Sequence, residues 1–161
     1  MKNLILIRHA KSSWDSPMQD FDRPLEHRGI LDADRVSTEF KKYLPTSFVV
    51  FSSPAKRARE TALIFAKNLL YPLESIIFSD NLYTFDENKL EKTIQLISND
   101  YENVILLGHN DAITNFVNKF GTIFIDNVPT AGLIWLQFES DHWEKIQKGK
   151  TLKTLFPKNL K

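Results

Sequence analysis

Short apolar runs alternate with segments of helical periodicity along most of the chain, and this alternation constrains the fold more than any other feature. The runs are rich in leucine and β-branched residues, as strands buried on both faces are. They cover residues 3–7, 48–51, 76–78 and 103–107. Apolar residues between them recur at helical spacing, which predicts helices over 28–43, 54–70, 87–98 and 111–120. The pattern predicts an α/β fold with a largely parallel sheet.

Three further segments complete the predicted organisation. Residues 10–27 are polar and contain Pro17 and Pro24, so we expect a long loop, which in a small domain is usually functional or disordered. Residues 133–138 and 142–147 are expected to pair as a C-terminal β-hairpin. The basic segment 148–161 is expected to be a loosely attached tail. With no repeat or linker in the chain, we predict one domain over residues 1–161.

The composition narrows the chemistry that this domain can perform. The chain has no cysteine, which excludes disulfides, thiolate metal sites and cysteine nucleophiles. Its 21 basic and 20 acidic side chains leave a net charge of +1, so bulk charge favours neither a nucleic acid nor a membrane as a partner. No apolar run approaches the length of a membrane span, and we expect a cytoplasmic protein.

Two histidines directly follow predicted strands. His9 comes after the first strand and its neighbour Arg8, and His109 follows Gly108 at the end of the fourth strand. Ligands of open α/β sheets bind beyond the carboxyl ends of the strands. We therefore expect His9 and His109 to share a site, whereas His27 and His142 are expected at the surface.

Basic residues open the second predicted helix, where a helix normally favours acidic ones. Ser53 is expected to cap this helix and Pro54 to begin it, and Lys56, Arg57 and Arg59 follow. A bound anion would reverse the usual preference, because the helix N-terminus and a guanidinium both stabilise it. Arginines and histidines in one pocket suit a phosphoryl group, which a neutral imidazole can accept as a nucleophile.

These residues resemble the motifs of the histidine phosphatase superfamily, which includes the cofactor-dependent phosphoglycerate mutases. The resemblance lies in three motifs in order and extends over residues 3–147; the motifs are Leu6-Ile7-Arg8-His9-Ala10, Ser52-Ser53-Pro54 with Arg57-Ala58 and Thr61-Ala62, and Leu107-Gly108-His109-Asn110. The chain is most similar to the short phosphohistidine phosphatases of the SixA type. The resemblance implies a three-layer αβα sandwich of the phosphoglycerate mutase type.

The resemblance also implies roles for individual residues. His9 would be the nucleophile, and Arg8, Arg57 and His109 would bind the phosphoryl group. Arg57 is favoured over Arg59 by the match to the second motif. Arg23 and Thr130 fall in matching stretches beside the site. An ion pair of Arg23 with Asp20 or Asp22 that anchors the loop is an equally good interpretation of Arg23. Trp14 is either a platform for substrate or an apolar anchor of the loop.

Two departures from the family pattern bear on the substrate. Ala10 stands where the family usually has glycine, and the alanine side chain restricts the backbone beside the phosphate site. No convincing general acid is present, because Asp86 and Glu87 could equally cap the next helix. An alkoxide leaving group needs a proton during departure, whereas imidazole, with an unperturbed pKa near 6.5, needs less help. The sequence therefore predicts a phosphohistidine phosphatase that acts in signal transduction. It favours this activity over hydrolysis of phosphate esters, whose alkoxide leaving groups need a proton.

Two rival functions are compatible with the same residues. A small-molecule phosphomonoesterase would use the same residues on a phosphorylated metabolite instead of a phosphorylated protein. A phosphate-binding module would keep the pocket without chemistry. The histidines lack clustered carboxylate partners, so we expect no metal and no other cofactor.

Overall fold

The computed structural model describes residues 1–15 and 17–160. Two residues of the predicted segments, Ser16 in the loop and Lys161 in the tail, lie outside the described part. The strands are β1 (Lys2–Arg8), β2 (Val49–Ser52), β3 (Ile77–Phe78), β4 (Asn103–Gly108), β5 (Leu133–Phe138) and β6 (Lys150–Leu155). The α-helices are α1 (His27–Phe40), α2 (Lys56–Asn68), α3 (Glu87–Gln95) and α4 (Ala112–Phe120).

All six strands belong to one sheet, in the order β3-β2-β4-β1-β5-β6. The first four in this order run parallel, and β5 and β6 are antiparallel to their neighbours. The largely parallel sheet predicted from the alternation is therefore confirmed. The central pair β1 and β4 is in register from Asn3 with Asn103 to Arg8 with Gly108, so both strands end at the same level.

Helices cover both faces of the sheet, which gives the predicted three-layer architecture. Side chains of β1 alternate between the two cores, since successive residues of a strand point to opposite faces. Ile5 and Ile7 pack in the core formed with α1 and α2. Leu4 and Leu6 pack in the core formed with α3 and α4. Among the described residues, no helix is both long enough and apolar enough to cross a membrane.

The C-terminal hairpin exists, but its second strand is not the predicted one. The prediction placed that strand at 142–147, where the structure has a 3-10 turn (Trp143–Lys145). Trp143 and Ile146 are both buried in the core. Their spacing of three residues suits a turn of helix and not an alternating strand.

The prediction of a loosely attached tail is wrong for residues 150–155. These residues form β6, which pairs with β5 along the edge of the sheet. Leu155 is buried in the core on the α1 side. Lysines on an edge strand discourage pairing with other chains. They also make β6 resemble a polar tail in the sequence.

Candidate active site

The neighbouring ends of β1 and β4 bring His9 and His109 together, as their positions in the sequence predicted. The His9 backbone N–H donates to the Gly108 carbonyl at 3.0 Å. The centroids of the two imidazole rings are 5.2 Å apart. Both rings are almost fully buried. The exposed residues His27 and His142 lie at the surface, as expected.

Hydrogen bonds orient the His9 ring. Its Nδ1 lies 2.7 Å from the Ala10 carbonyl oxygen, which can only accept, so we assign the proton to Nδ1. The lone pair is then on Nε2. Burial and the nearby arginines hold the pKa of His9 at about 3, so the ring is neutral at physiological pH. A neutral imidazole with its lone pair on Nε2 is the form that can act as a nucleophile.

Arg57 extends from the first turn of α2 to His9. Its Nε donates to His9 Nε2 at 3.3 Å, and its side chain is almost fully buried. Arg59, the alternative left open by helical spacing, is exposed on the same helix. The structure thus brings Arg57 and not Arg59 to the site.

The start of α2 differs from the prediction. The helix begins at Lys56 after Ala55, so Ser53 is not its cap. The Ser53 hydroxyl instead lies 2.8 Å from His109 Nε2 and accepts a hydrogen bond from the Ala55 N–H. The cap prediction missed this because only the fold brings the end of β4 beside Ser53.

The second motif also supports the backbone after His9. The Thr61 hydroxyl donates to the Arg57 carbonyl at 2.7 Å and accepts from the Ala10 N–H at 3.0 Å. Ala10 is fully buried, and its φ is outside the left-handed region. Alanine therefore occupies the position of the family glycine without backbone strain.

His9 and Arg57 line a cavity with a volume of about 360 Å³. Three other predicted site residues, Arg8, Arg23 and Thr130, line it as well. Arg8 donates from Nη1 to the Val128 carbonyl at 2.8 Å. Arg23 forms an ion pair with Asp20 at 3.3 Å, which is one of the two pairings that the sequence left open. Thr130 lies half-buried in the cavity wall. The geometry thus groups every predicted site residue around or beside His9.

Several buried nitrogens in this group have no hydrogen-bond partner among the described residues; they are Arg8 Nε, Arg23 Nε and Nη1, and His109 Nδ1. Buried polar groups are nearly always paired, so unpaired ones call for an explanation. Arg23 Nε is the exception in this set, because it lies 3.3 Å from Asp20, although not in hydrogen-bond geometry. Guanidinium nitrogens are donors only. The site therefore holds spare donors next to His9, as an oxyanion site would.

Asp20 is a residue of the site that the sequence did not single out as functional. Its carboxylate accepts from Arg57 Nη2 at 2.9 Å and from the Tyr83 hydroxyl at 2.6 Å. Its backbone carbonyl accepts from Arg57 Nη1 at 2.6 Å. Burial alone would raise the pKa of Asp20, but these hydrogen bonds hold that pKa below its usual value. The only signal in the sequence was its position three residues before Arg23, where it was one of two candidate ion-pair partners.

The region 81–87 supplies aromatic rings to the site and no acid. Tyr83 and Phe85 pack against the His109 ring, with centroid distances of 5.3 and 5.5 Å. Asp86 caps α3 by accepting from the Lys89 N–H at 3.2 Å. Of the two roles that the sequence left open for Asp86, the structure therefore supports the cap.

Comparison with known proteins agrees with this geometry. Residues 4–83 match the model of the histidine phosphatase superfamily, branch 1. The fold is similar to that of the SixA-type protein from Agrobacterium tumefaciens, with 24% identity over 96% of this chain and 97% of that chain and a TM-score of 0.78. It is also similar to the protein histidine phosphatase SixA complexed with tungstate, with 20% identity over 99% of both chains and a TM-score of 0.80.

A third solved structure shares the fold and has a different substrate in its name. The mycobacterial glucosyl-3-phosphoglycerate phosphatase in complex with VO3 is 14% identical over 95% of this chain and 98% of that chain, with a TM-score of 0.70. These likenesses concern the fold, which phosphatases with different substrates share. From the matched family model, the motifs and the shared fold, the chain belongs to the histidine phosphatase superfamily and is a hydrolase of that family.

Proposed function

We propose that this chain is a phosphatase that removes the phosphoryl group from phosphohistidine on a signalling or phosphotransfer protein in the cytoplasm. The observation that carries the proposal is the set of unpaired buried donors beside a neutral His9. These donors supply positive electrostatic stabilisation where a phosphoryl group would sit, which is the main requirement of phosphoryl transfer.

The reaction would proceed in two displacements. His9 Nε2 attacks phosphorus, the substrate P–N bond breaks, and its electron pair leaves with the substrate imidazole, which takes a proton from solvent. Water then attacks the phosphoryl group on His9, and inorganic phosphate departs while His9 regains its lone pair. Arg8, Arg57 and His109 would hold the equatorial oxygens, with Arg23 and Thr130 beside them.

The hydrogen bonds of His109 support its role as a donor. The Ser53 hydroxyl already accepts from the Ala55 N–H and can donate its own proton to His109 Nε2. With Nε2 as the acceptor, the proton of the neutral ring lies on Nδ1, the nitrogen that lacks a partner. Burial and the nearby Arg57 guanidinium lower the pKa of His109 to about 3, so this ring is also neutral. It would donate from Nδ1 to a phosphoryl oxygen.

The acidic side chains near the cavity favour phosphohistidine over a phosphate ester. Asp20 is ionised and paired with arginines, so it is a poor proton donor. The other carboxylate of the cavity wall, Glu26, forms an ion pair with Lys11 at 3.6 Å. An alkoxide would therefore leave without help, whereas imidazole is a good leaving group.

The alternative function is a small-molecule phosphomonoesterase, and the shared fold with a sugar phosphatase favours it. The test compares kcat/KM on a histidine-phosphorylated phosphotransfer domain with kcat/KM on a panel of sugar and glycerate phosphates. We expect the phosphoprotein to be the better substrate by at least about tenfold, which corresponds to roughly 1.4 kcal/mol. Faster turnover of the esters would overturn the phosphohistidine assignment.

A trapping experiment tests the covalent step and the non-catalytic alternative. The native protein is mixed with ³²P-phosphohistidine substrate and quenched in alkali, and His9→Ala is treated in parallel. We expect acid-labile, alkali-stable label on the native protein and none on His9→Ala. Turnover by the native protein without label would remove His9 as the nucleophile, and the absence of turnover would support a binding module. We also expect activity to survive exhaustive chelation of metals.

A further inference from the structure

Exposed aromatic side chains lie in and next to the wall of the phosphate cavity. Trp14 and Phe85 are part of that wall, and Phe21 packs against Tyr83, which contacts Phe85. We call Trp14, Phe21 and Phe85 the aromatic collar. Trp14 is 75% exposed, Phe85 52% and Phe21 36%. Large apolar side chains grouped around a binding site mark an interaction surface more often than isolated ones do.

The collar is continuous with the buried site on one side. The centroid of Phe21 lies 5.4 Å from that of Tyr83, which lies 5.7 Å from that of Phe85. Phe85 in turn contacts the His109 ring. A ligand whose phosphoryl group reached His9 would therefore pass along aromatic faces on its way out to solvent.

Trp14 is held in place although most of its ring is exposed. The Arg23 Cζ lies 3.4 Å from the centroid of the indole ring, which is a cation–π contact. Arg23 is itself paired with Asp20. The sequence left open whether Trp14 is an apolar anchor, and its exposure argues against that role. A preorganised aromatic ring loses little entropy on binding, which favours a role in recognition.

The chemistry of the collar selects one class of occupant. A glycerate phosphate presents hydroxyl and carboxylate groups and has no apolar face for these rings. A sugar ring can stack its C–H face on one aromatic ring and would leave the rest of the collar uncovered. A polypeptide around a phosphorylated histidine can present apolar side chains together with the imidazole ring. Aromatic residues at the centre of protein interfaces contribute most of the binding energy.

We propose that Trp14, Phe21 and Phe85 form the docking surface for the polypeptide that carries the phosphohistidine. The inference rests on the proposed function and adds to it the means by which a protein substrate is preferred over a free phosphoramidate. The surface would act on the affinity for the carrier chain, while His9 and the arginines act on the phosphoryl group.

The experiment measures a ratio, kcat/KM on a histidine-phosphorylated phosphotransfer domain divided by kcat/KM on free phosphoramidate. The variants are Trp14→Ala, Phe21→Ser and Phe85→Ser. The matched control is Leu96→Ser, an 83% exposed residue at the end of α3 beside a different cavity. We expect the ratio to fall at least about tenfold in the collar variants, mainly through KM for the protein, and to stay at the native value in the control.

Two results would overturn the docking surface. One is an unchanged ratio in all collar variants, and the other is an equal fall in the control. Trp14→Phe keeps an aromatic ring over Arg23 and should restore most of the ratio if Trp14→Ala fails to fold. Failure of the proposed function would look different, because the native protein would then turn over sugar or glycerate phosphates faster than the histidine-phosphorylated domain. A native dimer that the collar variants lose in sedimentation analysis would assign the surface to a second copy of the chain instead.

Discussion

The Arg57 Nε lies 3.3 Å from the Nε2 of His9, so the guanidinium faces the atom that would attack phosphorus. The other end of the guanidinium is held by Asp20, through Nη1 and Nη2. A guanidinium has five N–H donors. Asp20 therefore holds the distal end of Arg57, while the Nε side stays directed at the position of the phosphoryl group.

This arrangement predicts that Arg57→Lys is not a conservative change. Lysine has no planar fork and cannot bind Asp20 and a phosphoryl oxygen in the same geometry. We expect kcat/KM to fall about 100-fold, the usual effect of losing one aligned donor to a transition state. Arg59→Lys on the exposed side of α2 is the matched control and should keep native activity. Equal losses in the two variants would contradict the assignment of Arg57.

Asp20→Asn tests whether the carboxylate positions the arginines. Asparagine keeps the size but removes the charge that pairs with Arg57 and Arg23. Hydrogen bonds to charged groups contribute about 1.5–3 kcal/mol, so we expect kcat/KM to fall at least about tenfold. Asp22→Asn changes an exposed carboxylate in the same 3-10 turn and should have little effect. Higher activity of Asp20→Asn would mean that Asp20 competes with the substrate for Arg57.

The buried histidines predict that stability falls in mild acid. Burial holds the pKa of His9 and of His109 at about 3 in the folded chain, below the usual 6.5 of the unfolded chain. Between these values the unfolded chain binds more protons, so stability is lost as the pH falls from about 6.5 towards 3. From pH 6.5 to pH 5, each histidine should cost on the order of 2 kcal/mol.

Urea unfolding at pH 7.5 and pH 5 measures this effect. His9→Gln and His109→Gln remove one titrating ring each and should each show a smaller loss between the two pH values than the native chain. An identical loss in the native chain and both variants would mean that other groups cause the acid sensitivity. The low pKa of His9 also affects the pH profile of kcat/KM. On the acid side, kcat/KM should fall only well below about pH 6.5, the usual pKa of a free imidazole.

The pairing of β6 with β5 predicts that residues 150–155 contribute to stability. Leu155 is 7% exposed and Leu152 is 39% exposed in the same strand. Leu155→Ala should lower the free energy of unfolding by about 2–3 kcal/mol through lost burial and a cavity. Leu152→Ala should lower it by about 0.5 kcal/mol or less. Chemical denaturation would check both, and equal small effects would show that the C-terminal segment is loosely attached after all.

Much of the fold was predictable because its signals are local. Apolar runs such as 3–7 and 103–107 are short and bounded by polar residues, which identifies buried strands without knowledge of their neighbours. The error at 142–147 came from reading Trp143 and Ile146 as strand residues, although their separation suits a helical turn. β6 was missed because an edge strand rich in lysine has no local pattern that distinguishes it from a polar tail.

The sequence by itself determined which chemical groups are available: a chain without thiols, His9 and His109 after strands, and arginines at the start of α2. Tertiary structure decided which of these groups meet. It placed the Arg57 side chain against His9, put Ser53 beside His109 and not at a helix cap, and brought Asp20 to both Arg57 and Tyr83. The physical reason is that strand order and the path of the loop 10–27 set distances between residues far apart in the chain. Such distances leave no trace in local periodicity.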